Sequence, residues 1–208
     1  DADLPGPRVL LWLTLLVVLA GMAAGFVGGT FRWLLNRTEL WRTELVDWAH
    51  DHGAVGLLAP IAVAAAAVAL ATAIGVRWPA ASGSGIQQVE AAERDEDAPV
   101  RAPALPARYI GGLLSIGAGG MVLGREGPTV HMAAACGAFA GRIARVARDD
   151  LRVMQTVLAG AGLAVAFNAP LGGAIFVFEE VARKVRMRYV LWTLFAVTAA
   201  ITCSRLVL

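Results

Sequence analysis

Two charged residues, Arg125 and Glu126, stand within an apolar stretch covering residues 110–140, inside the pentapeptide Gly124-Arg125-Glu126-Gly127-Pro128. An aspartate or basic residue at the centre of a membrane helix costs about 2.5–3.5 kcal/mol on insertion scales, so intramembrane charges usually line ion pathways. Glycines on both sides of Glu126 let the backbone approach a small ligand. Pro128 suits the first turn of a helix, where its missing N–H is no loss. The remaining N–H groups of that turn attract an anion. A second group, Gly83-Ser84-Gly85-Ile86, offers a hydroxyl between two glycines with N–H groups beside it. Such weak donors suit a dehydrated halide, which a formal counter-charge would trap; a flexible turn is the competing reading. Glu179 and Glu180 close an apolar segment just before Arg183, Lys184, Arg186 and Arg188. They read either as a boundary ion-pair network with Arg183 or Lys184, or, at Glu180, as a second proton-transfer carboxylate.

The elements that position these residues belong in a membrane. The 208 residues are 58% hydrophobic and 16% charged, too apolar for an ordinary soluble domain. The net charge of +2 gives no support to nucleic-acid binding, which shows as a basic face or excess. Cys136 and Cys203 lie far apart in apolar segments and read as small buried hydrophobes. His50 and His52 flank Asp51 without a third metal ligand nearby and read as a solvated loop. The chain opens on Asp1 without an initiator methionine, so residues upstream are expected to be missing.

Residues 10–29 read as a membrane helix and not a cleavable signal. Residues 31–48, with Trp33, Trp41 and Trp48, read as a separate interfacial piece. Residues 53–76 form a second full span, and 189–208 another. The charged, proline-bearing stretch 87–108 is expected in water. Residues 109–123, 128–141, 151–167 and 169–178 are each shorter than the roughly 20 residues of a perpendicular span. Asn168 and Pro170 separate the last two. Short helices joined by glycine-rich breaks leave backbone groups unsatisfied in lipid unless they line a cavity. The expected fold is therefore all-α, polytopic, with broken and re-entrant helices whose N-termini face an anion. Gly21-xxx-Gly25, Gly25-xxx-Gly29 and Gly137-xxx-Gly141 permit close helix approach. For orientation, the cluster Arg183 to Arg188 points to a cytoplasmic end, while Arg142, Arg145, Arg148 and Arg152 pull the other way.

Together, Gly83-Ser84-Gly85-Ile86, Gly124-Arg125-Glu126-Gly127-Pro128 and the run from Gly162 to Gly173 containing Phe167-Asn168-Ala169-Pro170 resemble the CLC family of chloride channels and proton-coupled chloride antiporters. The resemblance implies Ser84 as a central anion ligand within a site of Gly83, Ser84, Gly85, Ile86, Arg125 and Gly127. It implies Glu126 as a gate competing with chloride and passing protons externally, and Glu180 as the internal proton acceptor. No cofactor is implied; chloride is the substrate. Gln87 departs from the proline usual in the first motif, while Ser84 favours chloride over nitrate. CLC subunits contain two inverted repeats, and residues 1–208 look like one transmembrane domain equal to the first. The second repeat, with a third anion motif and a closing tyrosine, is then needed to complete the pathway. A homodimer in a bacterial inner membrane is expected.

The leading expectation is chloride/proton antiport. The rivals are a CLC-type channel gated by voltage or pH without proton coupling, an incomplete non-transporting subunit, and an intramembrane hydrolase. The last lacks support, since the only intramembrane histidine that could serve Ser84 is His131 and no His-Glu-x-x-His motif occurs. His131 reads as a wall or packing residue.

Overall fold

The structure is a computed structural model describing residues 6–96, 100–183 and 186–208. Lys184, named above as an ion-pair partner, lies outside the described residues. Nine α-helices follow one another without a strand among the described residues: α1 Pro7–Asp51, α2 Gly53–Gly56, α3 Leu58–Arg77, α4 Ile86–Glu93, α5 Ala104–Gly112, α6 Glu126–Ile143, α7 Arg148–Phe167, α8 Pro170–Phe176 and α9 Met187–Val207. A 3₁₀ turn, Pro79–Ala81, precedes α4, and π-helical turns Leu113–Ala118 and Val177–Val181 extend α5 and α8. Four stretches are long and apolar enough to cross a membrane: α1, Gly53–Arg77, α7 and α9. The all-helical, broken-helix expectation therefore holds.

Several boundaries differ from the sequence reading. Residues 10–29 and 31–48 are parts of one 45-residue helix. Gly28-Gly29 does not break it, because no proline follows and Thr30 Oγ1 bonds back to the carbonyls of Phe26 and Val27, as a helical threonine can. Leu151 lies inside a helix that starts at Arg148 and reaches 20 residues; the polar first turn hid its true length. The stretch 87–108 is not wholly aqueous, since Val89, Ala92, Glu93 and Arg108 are buried.

The core lies where α1, α6, α7 and α9 meet, around Val17, Met154, Val157, Leu158, Val165 and Trp192. Small residues set the spacing. A methyl at Gly21 would come within 2.9 Å of the Ala196 carbonyl, and one at Gly25 would strike that of Ala200. These glycines let α1 lie directly on α9, so the spacing serves packing inside the subunit. Gly137 seats α6 on α7 in the same way, since a Cβ there would come within 2.9 Å of the Met154 carbonyl.

α7 ends at Asn168, whose left-handed backbone (φ 54°) reverses the chain, and Pro170 starts α8. The break expected at Phe167-Asn168-Ala169-Pro170 is thus built from an αL cap and a proline at the first helical position. α8 and its π turn carry the chain back toward the end where α7 began. Arg188 meets Asp150 at 2.8 Å, while Arg148 and Arg152 each meet Asp95 at 2.7 Å. Arg148, Arg152 and Arg188 therefore gather at one end of the bundle and do not oppose one another. The sequence reading separated the two basic clusters because it could not see that α7 and α8 form a return.

Candidate functional site

Ser84 sits in a loop that only flanking glycines can form. Gly83 (φ 71°) and Gly85 (φ 88°) both adopt the left-handed region, which L side chains avoid. Gly85 caps α4, and a Cβ there would lie 2.7 Å from both Arg108 Nη1 and His131 Cβ. Ser84 faces a cavity of about 720 Å³ that Gly83, Ile86, Arg108, Glu126 and Gly127 also line. Opposite it, Glu126 is the first residue of α6. A Cβ on Gly127 would stand 2.5 Å from the Ser84 carbonyl and 2.6 Å from its hydroxyl. That glycine is what lets the serine loop and the opening turn of α6 touch.

The Glu126 side chain folds over Gly124, where a methyl would collide with its Oε2. It lies between two cavities, lining the first and a second of about 360 Å³ bordered by Asn36, Glu39, Arg42 and Arg125. Among the described residues its carboxylate has no hydrogen-bond or ion-pair partner. At the opening turn of α6 the N–H groups have no intrahelical acceptor, and Thr129 is the first to donate back, to Arg125 at 3.2 Å. Arg125 precedes α6 and borders the second cavity but not the first, which Ser84 lines.

Glu180 is not brought to this site. It lies exposed on the π turn Val177–Val181, and its carbonyl accepts from Arg183 Nε at 3.2 Å. Its carboxylate lines neither cavity. His131 is fully buried behind Gly85, as a wall residue would be, with Nδ1 unpartnered. His50 and His52 bond to the carbonyls of Val46 and Trp48 at 2.8 Å.

Sequence reasoning missed Arg108. Only 2% exposed, its guanidinium donates to the carbonyls of Gly83, Ser84, Ala80 and Ser82 at 2.9–3.2 Å and to Gln88 Oε1 at 3.4 Å. Burying a cation is costly unless its donors are satisfied, and a fork of N–H groups can gather several carbonyls as a lysine cannot. Arg108 thereby ties four carbonyl oxygens of the Ser84 loop to one guanidinium. The available signal was its position immediately before the apolar run from Tyr109.

A bundle of broken apolar helices around a cavity, with a serine loop on one wall and a carboxylate at a helix start on the other, defines a polytopic membrane protein. The chain belongs to the family described as voltage gated chloride channel, whose model matches residues 66–208. It is 39% identical over 196 residues to the H(+)/Cl(-) exchange transporter ClcA of Vibrio vulnificus, covering 92% of this chain and 41% of that protein. It is 40% identical over 210 residues to ClcA of Vibrio cholerae, covering 97% and 42%. A slow cyanobacterial Cl⁻/H⁺ antiporter has the same fold, with a TM-score of 0.87 and 32% identity over 94% of this chain and 46% of that one. The chain thus spans less than half the length of these relatives.

Proposed function

We propose that this chain supplies one half of a pathway that exchanges chloride for protons. Gly83, Ser84, Gly85, Ile86 and Gly127 surround the anion, Arg125 flanks the path from the second cavity, and Glu126 is the gate. The observation that carries this reading is the Glu126 carboxylate, unpartnered at the opening of α6, on the same cavity as Ser84. Charged, it occupies the position where helix N–H groups favour an anion; protonated, it has no reason to stay. Chloride and carboxylate compete for the same donors, and that competition couples the two fluxes. The exchange activity named for the relatives supports the same reading.

Glu180 passes protons on the other side of the membrane. A second inverted repeat completes the pathway, two subunits form a homodimer, and the membrane is the bacterial inner membrane. With the full-length protein in liposomes under opposed chloride and pH gradients, Glu126→Ala keeps chloride flux and ends uphill proton movement. Retained proton pumping overturns the assignment. An uncoupled chloride channel is the second reading, favoured by the exposure of Glu180 away from both cavities. A reversal potential that follows chloride alone selects it.

A further inference from the structure

The π-helical turn Leu113–Ala118 and the irregular backbone of residues 119–125 have no part in the mechanism just described. Gly112 and Gly117, at the two ends of the turn, are both buried against α1. A Cβ on Gly112 would lie 2.8 Å from Phe31 Cζ, and one on Gly117 would strike Thr38 Oγ1 and come within 3.5 Å of Leu35 Cδ2. Phe31, Leu35 and Thr38 are four and three residues apart, so they share one face of α1. Gly112 and Gly117 are five apart, and in an α-helix the fifth residue on points about 140° away from the first. The i→i+5 bonding of a π turn takes up the additional residue. Gly119 N–H donates to the Leu114 carbonyl at 2.7 Å in that pattern. The π turn therefore brings both glycines onto α1, where an α turn would bring Ile116 to Thr38 instead.

Beyond Gly117 the chain is a strap. Gly119 lies against α3, where a Cβ would be 2.9 Å from Val68 Cγ2, and the Met121 N–H donates back to the Ser115 carbonyl at 3.0 Å. Residues 121–124 are then exposed. The strap ends at Gly124, over which the Glu126 side chain folds so closely that a methyl would meet its Oε2. Among the described residues no hydrogen bond or ion pair holds that carboxylate, so the position of Gly124 decides where it rests.

We propose that Thr38 is a positioning residue for the Glu126 gate, acting through Gly117, the π turn and the strap of residues 119–125. The inference rests on Glu126 being the gate, as given above. Thr38 Oγ1 donates to the Leu34 and Leu35 carbonyls at 2.9 Å, which fixes the oxygen against Gly117. Thr38 itself lines neither cavity. Moving its contact moves Gly124, and the charged carboxylate then competes less well for the N–H groups that open α6. Chloride enters more readily at high pH, where Glu126 is charged. At low pH, where the carboxyl is protonated and already out of place, flux is unaltered. The other ionisable groups on the two cavities beside Glu126 are Glu39 and Arg42 of α1, Arg108 of α5, and Arg125. The variants below change none of them, so an altered pH profile reports on the place of Glu126.

The test uses full-length protein in proteoliposomes, with chloride flux followed from low to high pH and the proton-to-chloride ratio taken under opposed gradients. Gly117→Ala overfills the contact and Thr38→Ala leaves it empty. Each is expected to raise chloride flux at high pH roughly two- to tenfold, the range for residues in contact, to lower the proton-to-chloride ratio, and to keep wild-type flux at low pH. The double variant, with a methyl added on one side where the hydroxyl is lost on the other, returns both readouts toward wild type. Thr38→Ser keeps Oγ1 and leaves both unchanged. If Gly117→Ala does not fold, the pair Thr38→Ala and Thr38→Ser decides. A wild-type pH profile and ratio in Thr38→Ala overturn the positioning role while the gate stands, as does a double variant no better than the worse single. Flux lowered equally at every pH also overturns it, because the contact would then serve the fold alone. Wild-type chloride flux that ignores pH removes the gate reading and the positioning role together.

Discussion

Glu126 and Glu93 are carboxylates on neighbouring short segments, and their surroundings are opposite. Glu126 begins its helix, lines two cavities and has no partner among the described residues. Glu93 ends α4, is 8% exposed, and accepts hydrogen bonds from Thr156 Oγ1 at 2.8 Å and the Tyr189 hydroxyl at 2.6 Å. Among the described residues one carboxylate is unpartnered and the other is tied to α7 and α9. The difference sets an unheld group beside a fixed one. α4 carries the Ser84 loop at its start and Glu93 at its end. Arg108 grips the first end and the Thr156–Tyr189 pair grips the second. The serine loop is thus anchored through both ends of α4, while among the described residues nothing holds the Glu126 carboxylate.

The comparison breaks most visibly at Glu93. Glu93→Ala leaves two buried hydroxyls without their acceptor and costs about 3 kcal/mol of stability, read as a lowered unfolding temperature of the purified full-length protein. Glu126→Ala leaves that temperature unchanged. If the two variants melt alike, the division into a fixed and a movable carboxylate is wrong. A smaller effect comes at Gly127, where the added methyl of Gly127→Ala presses on the Ser84 carbonyl and hydroxyl. Chloride affinity, measured by calorimetric titration, falls roughly tenfold, about 1.4 kcal/mol. Unaltered affinity would place the bound anion away from Ser84.

The unpartnered half of this comparison was legible in the sequence, and the fixed half was not. Glycines flanking Ser84 and Glu126 are local signals, because positive φ and close approach need glycine whatever the rest of the chain does. Asn168 with Pro170 marked the reversal for the same reason. Glu93, Thr156 and Tyr189 are 63 and 96 residues apart, and nothing local ties them together. Arg108 was assigned to water because a charge beside a polar stretch ordinarily lies there; its four carbonyl partners come from a loop 24–28 residues upstream. Reading α1 as two pieces failed from the opposite cause, since Gly28-Gly29 looks like a break but packs against Val165 and Ser204. The proton role of Glu180 was one of two readings of the acidic end of an apolar segment, which the family resemblance made specific, and its exposed position leaves that role to be tested.

The smallest change separates the two hydroxyls that hold Glu93. Tyr189 belongs to α9, Thr156 to the middle of α7, and each bond joins α4 to a different helix of the core. Tyr189→Phe keeps the ring in its buried seat and removes one donor, so about 1 kcal/mol is lost while Thr156 still holds the carboxylate. Thr156→Val, nearly the same shape, removes the other donor at a similar cost. Because both donors serve one acceptor, the double variant is expected to lose more than the sum of the singles. Additive losses in melting temperature would mean that Glu93 is held chiefly by other contacts, and that the far end of α4 is fixed independently of this pair.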